Sequence, residues 1–388
     1  MKFRCERDAL VEALGTAQRA VATKGAFAAL SGVKLELEGD RLRVTGTDLD
    51  LFIRVETTVA GQSDGVVVIP AKLAADIVRS LEPGAVQVES DEEGVQITAG
   101  RSNFSLRTFE AGDFPRQPEP AERAVTLPAA LLADALRQVV RAASTDIGGT
   151  PVITGVLLTA EDGGLRLVAT DKYRLAIRDL PGAGVLADGQ QVIVPARALG
   201  ELQRLLASLK PSKEIPTDGE GDATAAPAGG EVTLRLSEQE ATFEMGTTRI
   251  TTRLIPGAFP DYKRLMPEGY PNRLLVAKEP LLEALRRVRL LVESSISSVR
   301  VQLNPTSITL TVANADKGVA TEEVDAQYEG EELLVAFNPE FLIYGVEATT
   351  GDEVAIEVLN TVKPVSVKAS VEAPGVGTYT YLIMPVRT

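Results

Sequence analysis

The chain has 388 residues, of which 44% are hydrophobic and 24% charged, and its formal net charge is −14. This length allows two to four ordinary domains, and the composition is typical of a folded protein and not of a disordered one. A single cysteine, Cys5, excludes an intrachain disulfide framework and fits a reducing compartment. The charged start MKFRCERDAL and the lack of 18 consecutive apolar residues argue against a signal peptide and a membrane span. We therefore expect a cytoplasmic protein.

The sequence contains three copies of one unit, spaced at roughly 125–140 residues. The clearest repeated segment is VVVIPAKLAADIVRSL at 66–81, which returns as VIVPARALGELQRLL from 192 and as LLVAFNPEFLIYGVEA from 333. In the first two copies a β-branched run ends at Pro70 or Pro195, and a helix follows, because proline suits a first helical turn whose N–H groups are unbonded. In the third copy Asn338 precedes Pro339 and is predicted to cap the helix.

The other elements of each copy also recur in chain order. A helical pattern opens each copy, at 6–24, 128–143 and 278–293, and a hairpin pattern follows from 32, 155 and 298. Further strands close each copy after its second helix. The order helix, strands, helix, strands predicts an α+β fold in which two helices cover an antiparallel sheet.

The repeats set the expected domain boundaries. Linker-like composition near 121 and 271 predicts domains at 1–121, 122–271 and 272–388. The second domain contains a Gly-, Pro- and Ala-rich insertion at about 210–230, which we expect to be a disordered loop. Three such domains suggest an arc, and an arc that dimerises about a two-fold axis closes into a ring of six units.

The residues that enzymes commonly use are scarce. The chain has no histidine, which removes the commonest general base and metal ligand, and it has no glycine-rich phosphate loop. Asp48 and Asp50 could form a metal-ligand pair, but a solvated turn is the simpler interpretation. The segment DGEGDAT at 218 resembles a calcium loop, yet Gly229 stands where a glutamate is needed. We expect no catalysis, no cofactor and no metal.

The charge is distributed unevenly. The six predicted helices together carry +3, which leaves −17 for the rest of the chain. Mildly basic helices in an otherwise acidic protein allow weak contacts to phosphate groups, while the acidic remainder repels nucleic acid. Exposed helix faces in general also carry Lys and Arg, so the pattern permits DNA binding without establishing it.

The carboxyl-terminal segment TYTYLIMPVRT is unusually apolar for a chain end. It alternates as a strand up to Leu382, and Pro385 ends the ladder. Apolar residues are concentrated in the last residues of the chain, where polar residues are usual. The segment is either a final core strand or part of a binding site.

Several motifs resemble those of one known family. The segments TGTDLDL at 45, GRSNFSL at 100, VATDKYRLA at 168, FPDYKRLMP at 259, FNPEF at 337 and YLIMPVRT at the end occur in this order. Together with the threefold repeat, they resemble the bacterial β sliding clamps, the processivity subunits of DNA polymerase III, over the whole chain. The resemblance implies a DNA clamp fold and a head-to-tail dimeric ring around duplex DNA. It also implies a peptide pocket between domains 2 and 3.

The resemblance implies particular residues for that pocket. Its partners would be the replicative polymerase alpha subunit, the clamp loader and other proteins with a clamp-binding motif. The family usually has Gly-His or Gly-Tyr where Lys172-Tyr173 stands, and often leucine where Thr388 stands, so the rim is expected to differ. The implied pocket residues are Ile153, Thr170, Lys172, Tyr173, Arg174, Leu175, Pro260, Arg264, Leu265, Ile296, Asn338, Phe341, Ser366, Leu382, Ile383, Met384, Pro385, Val386 and Arg387.

DNA contact and dimerisation are assigned in the same way. The resemblance implies a DNA contact at Lys24, to which the repeat adds Lys72 and Arg197, each also readable as an ordinary helix-surface cation. For the dimer, it places two residues of the first domain, Arg101 and Phe104, opposite two of the third domain. These are Leu290 and Leu291.

Two other functions stay open on the sequence alone. A three-domain peptide-binding adaptor that forms no ring would bind peptides and no DNA. An enzyme that uses carboxylates alone is a more distant alternative. Retention on circular DNA separates the first from a clamp.

Overall fold

We describe a computed structural model of the chain, which covers residues 1–22, 27–91, 93–146, 148–187, 189–208, 230–292, 298–372, 375 and 377–387. By its internal contacts the chain divides into two compact units. Unit 1 comprises residues 1–130 and 201–254, and unit 2 comprises residues 131–200 and 255–388. No helix within the described ranges is long and apolar enough to cross a membrane.

The described residues contain six α-helices, at the six places where the sequence predicts them. Each opening helix is shorter than predicted, because its last turn tightens into a 3₁₀ turn at 18–20, 140–142 or 289–291. The helices are α1 Arg7–Ala17, α2 Ala71–Ser80, α3 Ala129–Val139, α4 Ala196–Ser208, α5 Lys278–Val288 and α6 Pro339–Ala348.

The strands repeat with the helices. The first copy contains β1 Lys2–Glu6, β2 Gly32–Glu38, β3 Arg41–Thr47, β4 Leu51–Thr58, β5 Ala60–Ser63, β6 Gly65–Pro70, β7 Ala85–Ser90, β8 Val95–Ala99 and β9 Ser102–Leu106. The second contains β10 Ala124–Pro128, β11 Gly155–Glu161, β12 Gly164–Thr170, β13 Arg174–Leu180, β14 Gln191–Pro195, β15 Glu231–Leu236, β16 Glu240–Met245 and β17 Thr248–Arg253. The third contains β18 Asn272–Ala277, β19 Val299–Leu303, β20 Ser307–Asn314, β21 Gly318–Glu329, β22 Leu333–Phe337, β23 Glu353–Val358, β24 Val365–Ala369 and β25 Tyr379–Ile383.

This order confirms the α+β fold with three repeats and adds one element to it. Each copy reads strand, helix, strands, helix, strands, with the predicted hairpins at β2–β3, β11–β12 and β19–β20. The strand before each opening helix was not predicted. These strands are short and directly precede a strong helical pattern, which conceals them in the sequence.

Unit 1 contains two antiparallel sheets. One has the order β5-β1-β7-β8-β9, and the other has the order β10-β15-β16-β17-β4-β3-β2-β6. Helix α1 packs against α2 and against β3 and β4, with Leu10 and Leu14 fully buried. The pairing of β4 with β17 joins strands of the first and second copies, with Phe52 opposite Thr251.

Unit 2 contains one antiparallel sheet of twelve strands. Its order is β14-β11-β12-β13-β25-β24-β23-β18-β21-β20-β19-β22. Here β13 pairs with β25, which joins the second copy to the third, with Leu175 opposite Leu382. Helix α6 packs on β24 and β25, and Gly345 permits this close approach, since a Cβ there would lie 2.4 Å from the Tyr381 ring.

Candidate functional site

A tight turn between β12 and β13 forms one side of the site in unit 2. The hydroxyl of Thr170 accepts from the Lys172 amide at 3.2 Å, and Oδ1 of Asp171 accepts from the amides of Tyr173 and Arg174, both at 3.0 Å. Such side-chain bonds fix a turn in place of backbone pairing. Lys172 has a φ of 80° in the left-handed region, and the Tyr173 side chain is 64% exposed.

Arg174 is held in place by contacts with several other elements of unit 2 and forms one wall of the candidate site. Its Nε donates to Oδ2 of Asp171 at 2.8 Å, and its Nη2 donates to the carbonyl of Arg141. The guanidinium lies 4.3 Å from the centroid of the Phe341 ring and 5.3 Å from that of Tyr344. Cation–π contacts and a partly buried ion pair therefore fix the side chain in one position.

The start of α6 forms the opposite side. Asn338 caps this helix as predicted, since its Oδ1 accepts from the amides of Glu340 at 2.9 Å and Phe341 at 3.4 Å. The Tyr381 hydroxyl of β25 donates to the Phe341 carbonyl at 3.0 Å. The cap and this bond place the Phe341 ring beside Arg174.

The carboxyl-terminal tail connects these two sides. After β25, the Met384 amide donates to the Tyr173 carbonyl at 2.8 Å, and the Val386 amide donates to the Ala336 carbonyl of β22 at 2.8 Å. Pro385 lies between the two donors and has no N–H of its own. The tail is thus held at two points, and Met384 is left 36% exposed.

An apolar cluster lies on the sheet face opposite Arg174 and Tyr381, because its members Leu175 and Leu382 alternate with these two residues along β13 and β25. It contains Leu157, Val168, Leu175, Ile177, Ile193, Tyr262 and Leu382, with Val152, Ile255 and Phe259 packed against it. The side chains of Tyr173, Leu265 and Met384 are 64%, 48% and 36% exposed. Large apolar side chains are therefore accessible next to a buried apolar cluster, which is how sites for apolar ligand groups are commonly built.

The loop after Phe259 adds a charged edge. Tyr262 belongs to the buried cluster, and Lys263 Nζ lies 3.0 Å from Oε1 of Glu161. Arg264 is 85% exposed and pairs with Asp261 at 2.7 Å. Pro260, Arg264 and Leu265 therefore lie on one exposed loop.

Comparison with known proteins identifies the family. Models of the DNA polymerase III beta subunit match residues 1–118 (N-terminal domain), 126–216 (central domain) and 263–387 (C-terminal domain). The beta sliding clamp of Streptomyces coelicolor is 32% identical over 395 residues, covering 100% of this chain and 99% of the relative. The chain belongs to the beta sliding clamp family.

Solved structures of this family share the fold of the chain. The Caulobacter crescentus pol III beta structure has a TM-score of 0.85 at 32% identity, and it covers 100% of both chains. The sliding clamp of Bartonella birtlesii, solved bound to griselimycin, has a TM-score of 0.88 at 29% identity and also covers 100% of both chains. The fold class predicted from the sequence is thereby confirmed.

In this clamp-family chain, three of the implied pocket residues need separate comment. Ile153 is 3% exposed and lies in the core, whereas its neighbour Val152 packs against the apolar cluster. Ser366 is also 3% exposed and pairs directly with Leu382. Ile296 lies outside the described residues, as do Thr388 and nearly all of the 210–230 insertion.

The residues implied for DNA contact lie at equivalent places of the repeat. Lys72 and Arg197 are each the second residue of a helix, α2 and α4 respectively, and both are exposed. Lys24 lies outside the described residues. Asp48 was considered above as a metal ligand. Its Oδ1 instead accepts hydrogen bonds from the amides of Asp50 at 3.2 Å and Leu51 at 2.9 Å, as expected for a turn.

The residues implied for the dimer lie beside strand edges. Arg101 and Phe104 belong to the hairpin that ends in β9, the last strand of its sheet. In unit 2, Leu290 is 76% exposed and Leu291 is half-buried, while Arg287 holds Glu322 of β21 with two bonds of 2.9 Å. Residues 318–325 of β21 pair with β20 along one edge. The pairing of β21 with β18 is confined to residues 326–329, so the other edge of 318–325 is not paired with β18. Both segments are edges of the kind that another strand can extend.

Several site residues were not predicted from the sequence. Leu157, Val168, Ile177 and Ile193 belong to the apolar cluster, while Asp171 accepts from Arg174 and Tyr381 donates to the Phe341 carbonyl. The sequence does carry one signal for the cluster, because β11 to β13 are apolar on both faces, as in Val156-Leu157-Leu158. A strand with one solvated face alternates instead.

Proposed function

We propose that this chain is a sliding clamp that closes head to tail with a second copy around duplex DNA. In this role it holds the replicative DNA polymerase on its template and catalyses no reaction itself. The observation that carries the proposal is the match to all three beta-subunit domains, in order, at residues 1–118, 126–216 and 263–387. It would act in the cytoplasm with duplex DNA, with no cofactor and no membrane.

The three domains of the proposed clamp are 1–121, 122–271 and 272–388. Support for these boundaries comes from the repeated order of elements, which restarts with β10 at Ala124 and with β18 at Asn272. The segments before these strands carry the linker composition. The Gly-, Pro- and Ala-rich stretch at about 210–230 is proposed as an insertion within the second domain.

The dimer seam is proposed between Arg101 and Phe104 of one copy and Leu290 and Leu291 of the other. A leucine that is 76% exposed beside an open strand edge favours a protein contact at this place. Leu290→Asp should give folded monomers, because it buries an unpaired charge in the seam while its side chain makes few contacts within the chain. Sedimentation of this variant at micromolar concentration tests the seam, and a dimer of unchanged affinity would contradict it.

DNA is proposed to be held by topology, with weak contacts from Lys24, Lys72 and Arg197. A net charge of −14 opposes tight direct binding, which needs many neutralised phosphates. A protein that must slide gains from few contacts and needs a closed ring to stay in place.

The site in unit 2 is proposed to bind short peptides of the polymerase alpha subunit, the clamp loader and other proteins with a clamp-binding motif. Accessible apolar side chains beside a buried cluster suit two or three apolar anchors, and the fixed Arg174 and the tail provide its walls. Such a small interface implies micromolar affinity resting on few contacts.

Retention on circular DNA tests the clamp function. Protein loaded on a closed circle should stay bound through a salt wash and should be lost when one restriction cut opens the circle. A shallow dependence of direct DNA affinity on salt is expected as well. Equal retention on circular and cut DNA would contradict encirclement and favour the adaptor that binds peptides alone.

A further inference from the structure

A cavity lies on the same sheet face as the peptide site. It has a volume of about 350 Å³ and lies between the loop Met266–Tyr270 and the strands β23, β24 and β25. Ser366 and Leu382 line it, and both belong to the proposed peptide site. A water molecule occupies about 30 Å³ in the liquid, so the cavity has room for a side chain.

Strand register shows that the cavity continues the apolar cluster. Glu357 pairs with Ser366, Ser366 pairs with Leu382, and Leu382 pairs with Leu175. Directly paired residues point to the same face of a sheet. The face therefore changes along one row from apolar, at Leu175 and Leu382, to polar, at Ser366 and Glu357.

The cavity offers hydrogen-bonding groups of both kinds. The hydroxyl of Tyr270 is buried and has no hydrogen-bond partner among the described residues, although a buried hydroxyl normally has one. Burial, followed by the charge of Glu357, raises the pKa of Tyr270 to about 12, so the hydroxyl remains a donor at neutral pH. Glu357 provides acceptor oxygens.

The charges in the cavity disfavour a charged ligand group. The Glu357 carboxylate already pairs with Lys368 at 3.0 Å and with Arg273 at 4.0 Å. A further cation would compete with these two, and an anion would have to share Lys368 with Glu357 and would also meet Glu268. A group that accepts from Tyr270 and donates to Glu357 or Ser366 fits without any change of charge.

We propose that this cavity is a polar extension of the peptide site, which takes one uncharged hydrogen-bonding side chain of the bound peptide, next to the anchor on Leu382. The inference rests on the proposed peptide site. It adds a specificity determinant that discriminates among peptides with the same apolar anchors.

A peptide series with two apolar anchors tests this proposal. Each peptide carries Asn, Ala, Asp or Lys at one flanking position, all other flanking residues are Ala, and affinity is measured by fluorescence anisotropy on the full chain. At one position Asn should bind about threefold to tenfold more tightly than Ala, as one or two hydrogen bonds imply. Asp and Lys should give no such gain.

Variants assign the gain to the cavity. Tyr270→Phe should remove the advantage of Asn over Ala while the all-Ala peptide keeps its affinity. Ser366→Ala, at a residue of the peptide site itself, should reduce the same advantage when the Asn and Ala peptides are compared on that variant. Tyr328→Phe is the matched control, because Tyr328 lies on β21, outside the cavity, and its hydroxyl donates to the Glu331 carbonyl. An Asn advantage that survives both cavity variants, or no Asn advantage at any position, would overturn the inference alone. Failure of the all-Ala peptide to bind wild-type chain would overturn the proposed peptide site, and this inference with it.

Discussion

The pairings β4–β17 in unit 1 and β13–β25 in unit 2 have the same backbone plan. In both, a Thr-Asp turn has a non-glycine residue at positive φ, Leu49 at 86° and Lys172 at 80°. In both, the first amide after the last paired residue donates to the turn, from Arg253 to the Asp50 carbonyl at 3.0 Å and from Met384 to the Tyr173 carbonyl at 2.8 Å.

The side chains on the equivalent face differ. Where unit 2 has Leu157, Val168, Leu175, Ile177 and Leu382, the repeat places Lys34, Thr45, Phe52, Arg54 and Thr251 in unit 1. Burial, followed by the neighbouring guanidinium of Arg249, lowers the pKa of Arg54.

The chain segments that lie over these two sheet faces differ in the same way, since the one in unit 1 makes polar contacts and the one in unit 2 makes an apolar contact. In unit 1, Gln117 donates to Thr251 at 3.2 Å, and Arg235 donates to the carbonyls of Ala121 and Glu122 at 3.1 and 2.9 Å. In unit 2, Tyr262 packs into the apolar cluster. The comparison indicates that the proposed peptide site differs from its unit 1 equivalent in having mostly apolar residues in place of polar ones and a chain end as a wall.

Among the changes that test this difference, removal of the tail should have the largest effect on peptide affinity. Deletion of Met384 through Thr388 removes one wall and both backbone bonds that hold it, so binding of a polymerase-derived peptide should fall by on the order of a hundredfold or more. Calorimetric titration measures the loss, and sedimentation checks that the dimer persists. Unchanged affinity would contradict a role of the tail in binding and would favour the other interpretation, that it is a final core strand.

Exchange of one equivalent residue pair should have the next largest effect. Leu382→Thr introduces the residue of unit 1 and removes apolar contact, so peptide affinity should fall by on the order of tenfold. The matched control is Thr251→Leu, which makes the reverse change and should leave the affinity unchanged. Equal losses in both variants would indicate that neither position is specific to the site.

Removal of the turn carboxylates should have a smaller effect. Asp171→Ala removes the acceptor of two amides and the partner of Arg174, so peptide affinity should fall by about threefold to tenfold. Asp48→Ala makes the same change in unit 1 and should lower thermal stability without changing peptide affinity. A larger loss of peptide affinity for Asp48→Ala would reverse the assignment of the site.

The smallest effect should come from the left-handed residues. Lys172→Gly relieves the cost of a side chain at positive φ, which is partly offset by the entropy of glycine in the unfolded chain. The free energy of unfolding should therefore rise by no more than about 1 kcal/mol, and Leu49→Gly should act in the same direction. Denaturant titration detects this change, and marked destabilisation by Lys172→Gly would show that its side chain contributes a contact.

The sequence predicted what depends on local patterns. The three copies, the helix starts after Pro70 and Pro195 and the Asn338 cap follow from periodicity and capping rules over a few residues. The tail was recognised as unusual for the same reason, because its apolar residues are adjacent in the chain.

What the sequence did not predict depends on distant pairing. Leu175 and Leu382 were assigned to one pocket through the family resemblance alone, because they lie about two hundred residues apart and only the β13–β25 register brings them together. The role of Arg174 as a wall depends likewise on Arg141 and Phe341, which come from other elements. The loop at 266–270 has no periodicity, so the cavity beneath it had no sequence signal.

Hydrogen–deuterium exchange of the full chain, with and without a saturating peptide that carries a clamp-binding motif, tests the central comparison most directly. With the peptide bound, we expect slower exchange at the turn 170–174 and at the amides of Met384 and Val386. Exchange at the equivalent turn 47–51 and at Arg253 should stay unchanged. Protection of the unit 1 turn, with no protection of the tail, would contradict the account.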